Sequence, residues 1–131
     1  MILQVGVKVL IERGGKYLFL QRSEPVENGG DRLWDIPGGR IDSEEALPIA
    51  LSREVAEETG LVLDLAPELI GAQDIFVAPK DLHVVRLTYR GTAKGVVHLS
   101  SEHDEFEWLT LEEAQYSKHL DQYLLALLQT K

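Results

Sequence analysis

A short amphipathic helix with clearly marked ends is the strongest structural signal in this sequence. Pro48 suits the first turn of a helix, where a missing N–H costs nothing, and Gly60 suits the position just beyond the last turn. The sequence therefore predicts a helix over residues 48–59, preceded by a loop over residues 40–47. One side of this helix is apolar and can pack on a core, through Ile49, Leu51, Val55 and Ala56.

The other face of the predicted helix is acidic. Glu54, Glu57 and Glu58 stand at positions i, i+3 and i+4, which places their side chains within an arc of roughly 100°. Like charges at this spacing repel one another, and Arg53 can neutralise only part of the charge. A hard divalent cation such as Mg²⁺ or Mn²⁺ prefers oxygen ligands and would neutralise the rest. A solvated acidic face is the alternative that the spacing alone leaves open.

The N-terminal third of the chain predicts a hairpin, a loop and a bend. Residues 5–9 alternate valine with other residues, which is the period of a strand with one buried face, and Gly14-Gly15 marks the turn before a second strand at residues 17–20. The polar residues 23–31 predict an exposed loop that borders the substrate. Pro37-Gly38-Gly39 predicts a sharp bend with an exposed backbone.

The remainder of the chain mixes strands and helices. Residues 61–63, 69–77 and 83–92 resemble strands, and the last two are candidates for pairing. Thr110 and Glu113 form a capping-box pattern at the start of a helix. A C-terminal helix has an apolar face made of Leu120, Leu124, Leu127 and Leu128. Because strands and helices do not alternate regularly, the sequence predicts one α+β or layered α/β/α domain over residues 1–131.

The composition limits the partners of this domain. Thirteen Lys and Arg against 22 Asp and Glu give a formal charge of -9, which disfavours binding to nucleic acid or to an anionic membrane. Cysteine is absent, so thiolate metal sites are excluded. The N-terminus lacks the pattern of a signal peptide, and no segment is apolar enough to span a bilayer. These features predict a cytoplasmic protein.

The segment that begins at Gly39 resembles the signature of the Nudix hydrolase family. It reads GRIDSEEALPIALSREVAEETGL, and the defined positions of the signature are filled by Gly39, Glu45, Arg53, Glu54, Val55, Glu57, Glu58, Gly60 and Leu61. The resemblance implies the Nudix α/β/α sandwich, in which a mixed β-sheet lies between helices. It also implies hydrolysis of a diphosphate linkage in a nucleoside diphosphate linked to another group, with Mg²⁺ or Mn²⁺ as cofactor.

The resemblance also implies roles for residues at matching positions. The metal ligands would be Glu54, Glu57 and Glu58 together with the carbonyl of Gly39, while Arg53 would orient these carboxylates and Glu45 would organise the loop beside them. The family usually adds an acidic residue from a later loop. Spacing before Trp108 favours Glu102 for this role, with Glu105 as the second choice. The proposed general base is Glu58, with Glu102 as the alternative.

Substrate contacts are less constrained by the sequence. Candidates for phosphate binding are Arg22, Arg32 and Arg40, because guanidinium groups match phosphate oxygens, and an ordinary surface position is the alternative for each. Three aromatic residues could stack on a base or belong to the core: Trp34, Phe76 and Tyr89. The four histidines show no close ligand pairing and are assigned to no metal: His83, His98, His103 and His119.

Several functions share this signature. We favour a nucleoside triphosphate pyrophosphohydrolase, acting as a monomer or homodimer on a small nucleotide-like substrate. An ADP-ribose or sugar-nucleotide pyrophosphatase is the alternative, but the ADP-ribose branch commonly has a proline where this chain has Val77, and the nearest proline is Pro79. A non-catalytic nucleotide-binding module is disfavoured by the complete set of carboxylates. An isoprenoid diphosphate isomerase is disfavoured by the absence of cysteine.

Overall fold

The structure is a computed structural model, and it describes residues 1–25 and 32–130. The predicted loop over residues 23–31 therefore falls largely outside the described residues. The elements in chain order are β1 (Ile2–Arg13), β2 (Lys16–Arg22), β3 (Trp34–Asp35), β4 (Gly38–Arg40), α1 (Leu47–Thr59), β5 (Val62–Leu63), β6 (Glu68–Val77), β7 (Leu82–Gly91), β8 (Ala93–Lys94), β9 (His103–Leu109), α2 (Leu111–Ser117) and α3 (Gln122–Leu128), with a 3₁₀ turn at Ala78–Lys80.

A mixed β-sheet forms the centre of the molecule. Its strand order is β3-β2-β1-β7-β6, with β4 also paired to β1 and β9 also paired to β2. β1 runs parallel to β7, whereas the other pairs in this sheet are antiparallel. The predicted hairpin of β1 and β2 and the predicted pairing of β6 with β7 are both confirmed. A separate two-stranded ribbon joins β5 to β8.

Helices cover both faces of this sheet. On one face, Leu51 and Val55 of α1 are buried in a core cluster with Val7 and Val9 of β1. On the other face, Leu124 of α3 is buried in a second cluster that also contains residues of α2, β1 and β2. This arrangement confirms the α+β class and the α/β/α sandwich.

The prediction that β1 buries only one face was wrong. Val7 and Val9 point into the cluster beside α1, but Leu10 is buried in the cluster on the opposite side. β1 is a central strand with a neighbour on each side and helices on each face, so alternation along it does not separate buried from exposed positions. The side chain of Lys8 is consequently largely covered, at 14% exposed, and this bears on the site described below.

Local signals located the helices to within one or two residues. α1 begins at Leu47, one residue before the predicted start, and Gly60 closes it by donating its N–H to Ala56. The capping box at Thr110 is confirmed, because Thr110 and Glu113 exchange both expected hydrogen bonds at the start of α2. Leu120 was assigned to the C-terminal helix but precedes α3, whose N-cap is Asp121. In the described part of the chain, no helix is long and apolar enough to cross a bilayer.

Candidate functional site

The bend between β3 and α1 brings the backbone against the acidic face of the helix. The N–H of Gly38 donates a hydrogen bond to Oε1 of Glu58, at 3.0 Å. A Cβ atom added to Gly39 would lie 2.5 Å from Oε2 of Glu54, so only glycine leaves room for this carboxylate. The predicted bend and two of the three helix carboxylates are thus packed together.

Arg53 forms hydrogen bonds both with the loop residue Glu45 and with acidic residues of α1. Its Nε and Nη2 donate to the two carboxylate oxygens of Glu45, at 2.7 and 2.9 Å. Its Nη1 donates to Glu54 at 2.9 Å and to Glu57 at 3.2 Å. The hydrogen bonds from Arg53, followed by that from the Asp42 N–H, lower the pKa of Glu45 to about 2. The geometry suits the orienting role assigned to Arg53 from the sequence.

Glu58 occupies the most buried position of the acidic face. Its side chain is nearly enclosed, and the residue is only 6% exposed. Burial raises the pKa of Glu58 to about 7, Lys8 and the Gly38 N–H oppose this rise, and the charges of Glu54 and Glu102 add to it. A buried carboxylate among other carboxylates is therefore poised to accept a proton or to bind a cation.

This burial predicts an unusual pH dependence of stability in buffer without divalent cations. The folded-state pKa of Glu58 lies above its ordinary value of 4.5, so the folded chain binds more protons than the unfolded chain between pH 4.5 and 7. The stability that this group confers is complete below that window and is lost as the pH rises through it. Relative to Glu58→Gln, the wild-type free energy of unfolding should fall by about 3 kcal/mol across the window. Urea titrations in EDTA measure this difference, and a difference that does not change with pH contradicts the prediction.

Glu102 shares a cavity with the helix carboxylate Glu58, and Glu105 does not. Glu102 lies in the turn just before β9 and lines, with Glu58, Lys8, Arg22 and His103, a cavity of about 510 Å³, here called the carboxylate cavity. Glu105 lies within β9, opposite Gln21, and lines a different hollow of the surface. The structure thus favours the first choice from the sequence over the second.

The three candidate arginines lie in different places. Arg22 lines the carboxylate cavity and also a neighbouring cavity of about 310 Å³ on the sheet, here called the sheet cavity, which Arg40 lines as well. Arg40 is hydrogen-bonded to Gln4. Arg32 pairs with Asp104 and lines the separate hollow that contains Glu105. The structure therefore brings Arg22 to the carboxylate cavity and Arg40 to the adjoining sheet cavity, but leaves Arg32 apart from both.

A network of ion pairs lies beside the two cavities, with acidic and basic side chains in alternation. The sequence did not suggest this network. Asp35 lies 3.2 Å from both Lys8 and Arg22, and Asp121 lies 3.8 Å from Arg22 and 2.9 Å from Arg86. Burial opposes ionisation of Asp35, but Lys8, Arg86 and Arg22 together with the Ile36 N–H hold its pKa below the ordinary value. A lysine inside an apolar strand was the signal that could have revealed this network.

The aromatic and histidine candidates have mostly structural surroundings. Trp34 is buried in the core beside α3, and Tyr89 packs against the core beside α1. Phe76 is 61% exposed and stacks on His83, with ring centroids 4.4 Å apart, while His83 contacts Asp74. These positions are outside the two cavities. His103 lies in the carboxylate cavity, where burial, followed by the charge of Lys8, lowers the pKa of its imidazole.

The donor set fits a hard divalent cation. Glu54, Glu57, Glu58 and Glu102 offer carboxylate oxygens, and the backbone of Gly39 packs against the carboxylate of Glu54. Within residues 1–25 and 32–130, no group of three or more acidic or imidazole side chains is arranged to hold a metal ion by itself. Mg²⁺ does not require such a cage, because it keeps several waters and is usually held by one or two carboxylates together with substrate phosphates. Excess negative charge around buried Glu58 favours the same ion.

Comparison with known proteins agrees with this geometry. The family model of the NUDIX domain matches residues 2–128. The "CTP pyrophosphohydrolase" of Escherichia coli (strain K12) is 30% identical over 111 residues, which cover 82% of this chain and 76% of that protein. The "Putative 8-oxo-dGTP diphosphatase 2" of Mycobacterium tuberculosis is 45% identical over 67 residues, which cover 50% of this chain and 46% of that protein. The match thus spans about half the length of this mycobacterial relative.

Solved structures show the same fold. The MutT NUDIX hydrolase from Burkholderia pseudomallei superimposes with a TM-score of 0.84 at 25% identity, covering 98% of both chains. The MutT protein from Methanosarcina mazei Go1 superimposes with a TM-score of 0.80 at 29% identity, covering 98% of this chain and 91% of that one. The likeness therefore extends over nearly the whole domain and is not limited to the segment around α1.

Proposed function

This chain belongs to the Nudix hydrolase family, and from that premise we propose that it hydrolyses a diphosphate linkage of nucleoside triphosphates with the help of Mg²⁺ or Mn²⁺. The observation that carries the proposal is the position of Glu58. It is buried beside Glu54 at a cavity that also presents Glu102 and the cations Lys8 and Arg22. Acidic groups suited to a divalent cation thus lie next to basic groups suited to phosphate.

Different residues of the site would bind the metal, accept a proton and position the carboxylates. A divalent ion, when bound by Glu54, Glu57, Glu58 and Glu102, would draw charge from the phosphate oxygens and lower the pKa of the attacking water. Glu58 would accept a proton from that water, with Glu102 as the alternative base. Arg53 would keep the helix carboxylates in place through its hydrogen bonds.

Two features favour a triphosphate as the substrate. The relatives described as a CTP pyrophosphohydrolase and as an 8-oxo-dGTP diphosphatase both have nucleoside triphosphates in their names. The sheet cavity of about 310 Å³ adjoins the carboxylate cavity, and its size lies at the lower end of the usual range for small-molecule pockets. It would accept the base and sugar while the phosphates lie over the carboxylates. A monomeric or homodimeric state and a cytoplasmic location remain predictions.

A substrate panel tests the proposal. Canonical and oxidised nucleoside triphosphates, including CTP and 8-oxo-dGTP, are assayed beside ADP-ribose and a sugar nucleotide, each with Mg²⁺ and with Mn²⁺. We expect a triphosphate to be the fastest substrate and to yield a nucleoside monophosphate and pyrophosphate. Fastest turnover of ADP-ribose or a sugar nucleotide would support the alternative substrate class. Metal-dependent binding without any product would indicate a binding module instead.

A further inference from the structure

Lys8 is a charged residue held inside the central strand of the sheet. Its side chain is only 14% exposed, and its stem is covered by the bend, because a Cβ atom on Gly38 would lie 2.8 Å from Cδ of Lys8. The Nζ atom lies 3.2 Å from the carbonyl oxygen of Ile36 and 3.2 Å from Oδ2 of Asp35. Burying an ammonium group is costly unless it is paired and hydrogen-bonded, and these two acceptors satisfy two of its three protons.

Lys8 lies at the junction of the two cavities. It lines the carboxylate cavity, where Glu58 and Glu102 are found, and it also lines the sheet cavity, where Arg86 and Asp121 are found. Because Lys8 and Glu58 line the same cavity, the ammonium faces the carboxylate side of the junction as well as the sheet side. A substrate that extends from one cavity into the other would pass over this group.

The ammonium of Lys8 can donate more hydrogen bonds than its protein neighbours accept. Lys8, Arg22 and Arg86 form ion pairs with Asp35 and Asp121, and Lys8 also shares the carboxylate cavity with Glu58. Asp35 is also stabilised by the N–H of Ile36, at 2.8 Å. Among the residues that the structure describes, two acceptors contact the ammonium of Lys8, which has three protons to donate. One proton remains for an acceptor in the cavities.

We propose that Lys8 binds the phosphate chain of the substrate and positions it between the two cavities, an inference that rests on the proposed function. Its ammonium donates a hydrogen bond to a non-bridging phosphate oxygen, while its hydrogen bond to the Ile36 carbonyl fixes the direction of the side chain. Lysine suits this role, because it acts on phosphate as a compact point charge that needs no planar partner. The ligand class is a diphosphate or triphosphate.

Binding of inorganic pyrophosphate in the presence of Mg²⁺ tests this role without depending on a nucleobase. We expect Lys8→Met to weaken the pyrophosphate affinity measured by calorimetry at least about tenfold, as for the loss of a charge-assisted hydrogen bond. Lys94→Met is the matched control, since the Lys94 side chain is 83% exposed, and it should bind pyrophosphate as the wild type does. Wild-type affinity in Lys8→Met, or no pyrophosphate binding by the wild type, would overturn the proposal.

Mg²⁺ affinity distinguishes phosphate binding from an indirect effect on the metal. Because Lys8 is a cation that acts on Glu58, its removal should leave Mg²⁺ binding unchanged or strengthen it. Weaker Mg²⁺ binding by Lys8→Met would show that the side chain only supports the carboxylates, and it would overturn the assignment.

A second pair of variants separates phosphate binding from neutralisation of Asp35. Lys8→Met combined with Asp35→Asn removes both charges, and asparagine can still accept the Ile36 N–H. The double variant should bind pyrophosphate as weakly as Lys8→Met, whereas recovery to wild-type affinity would show that Lys8 only neutralises Asp35. Asp35→Asn alone frees the ammonium and should bind pyrophosphate at least as tightly as the wild type. Weaker binding by Asp35→Asn contradicts the proposal even if the Lys8 variants do not fold.

The outcome is separable from that of the substrate panel. If the wild type hydrolyses no nucleotide but Lys8→Met still loses affinity for pyrophosphate, the proposed function fails and the phosphate-binding role stands. If nucleotides are hydrolysed and Lys8→Met binds pyrophosphate as the wild type does, the proposed function stands and the phosphate-binding role of Lys8 fails.

Discussion

Replacement of Glu58 by Gln is expected to lower kcat by about 10²- to 10⁴-fold, which is the usual contribution of a general base. The amide keeps the shape of the side chain, and its oxygen can still accept the N–H of Gly38 that now binds Oε1 of Glu58 at 3.0 Å. The fold should therefore survive while the group loses its ability to accept a proton. Stopped or continuous assays at saturating Mg²⁺ and nucleotide measure kcat directly.

A second Glu→Gln variant controls for the loss of negative charge alone. Glu112 lies in the first turn of α2, is exposed, and is remote from both cavities. Glu112→Gln should retain wild-type kcat and KM. Near-wild-type kcat in Glu58→Gln would show that this carboxylate is not the base, and the same measurement on Glu102→Gln would then test the alternative.

Substitution of Gly38 by Ala is expected to lower the free energy of unfolding by about 3 kcal/mol or more, through backbone strain and overpacking. Gly38 has a φ of +147°, and a Cβ atom there would overlap the carbonyl oxygen of Val7 and approach Cα of Lys8 to 2.7 Å. Neither atom can move without displacing the central strand β1. Urea unfolding followed by circular dichroism measures the loss.

Gly14→Ala separates the clash from the general effect of positive φ. Gly14 has a φ of +61°, but no atom lies within 4 Å of an added Cβ, so only the conformational cost of about 1 kcal/mol applies. The Gly38 variant should be clearly less stable than the Gly14 variant. Equal losses would mean that the bend at Gly38 can open without disturbing β1, which the described packing does not allow.

Elements that depend on local interactions were predictable from the sequence. The ends of α1 follow from Pro48 and Gly60, and the start of α2 follows from the reciprocal hydrogen bonds of Thr110 and Glu113. These signals involve residues at most four positions apart, so they can be recognised without knowledge of the tertiary contacts. The short strands β3, β4 and β8 and the strand β9 were missed, because they are defined by pairing with distant segments.

The candidate site was predictable only in part for the same reason. Spacing within one helix placed Glu54, Glu57 and Glu58 together, and the resemblance added Arg53 and Glu45. The charge network instead draws on Lys8, Asp35, Arg86 and Asp121, which come from four distant parts of the chain. Alternation of the valines in β1 predicted a strand with one buried face, whereas Lys8 is covered by the bend at Gly38 and paired with Asp35. No pattern within a single segment carries that information.

The acidic face of α1 is expected to hold the divalent cations on which turnover depends, and Mn²⁺ binding tests this most directly. The signal of free Mn²⁺ in electron paramagnetic resonance is followed as wild type, Glu57→Gln or Glu112→Gln is added. Glu57 is largely exposed, so its replacement should leave the core intact. We expect Glu112→Gln to match the wild type and Glu57→Gln to bind Mn²⁺ at least about tenfold more weakly. Equal Mn²⁺ affinity in all three proteins would contradict the assignment of this face as the metal site.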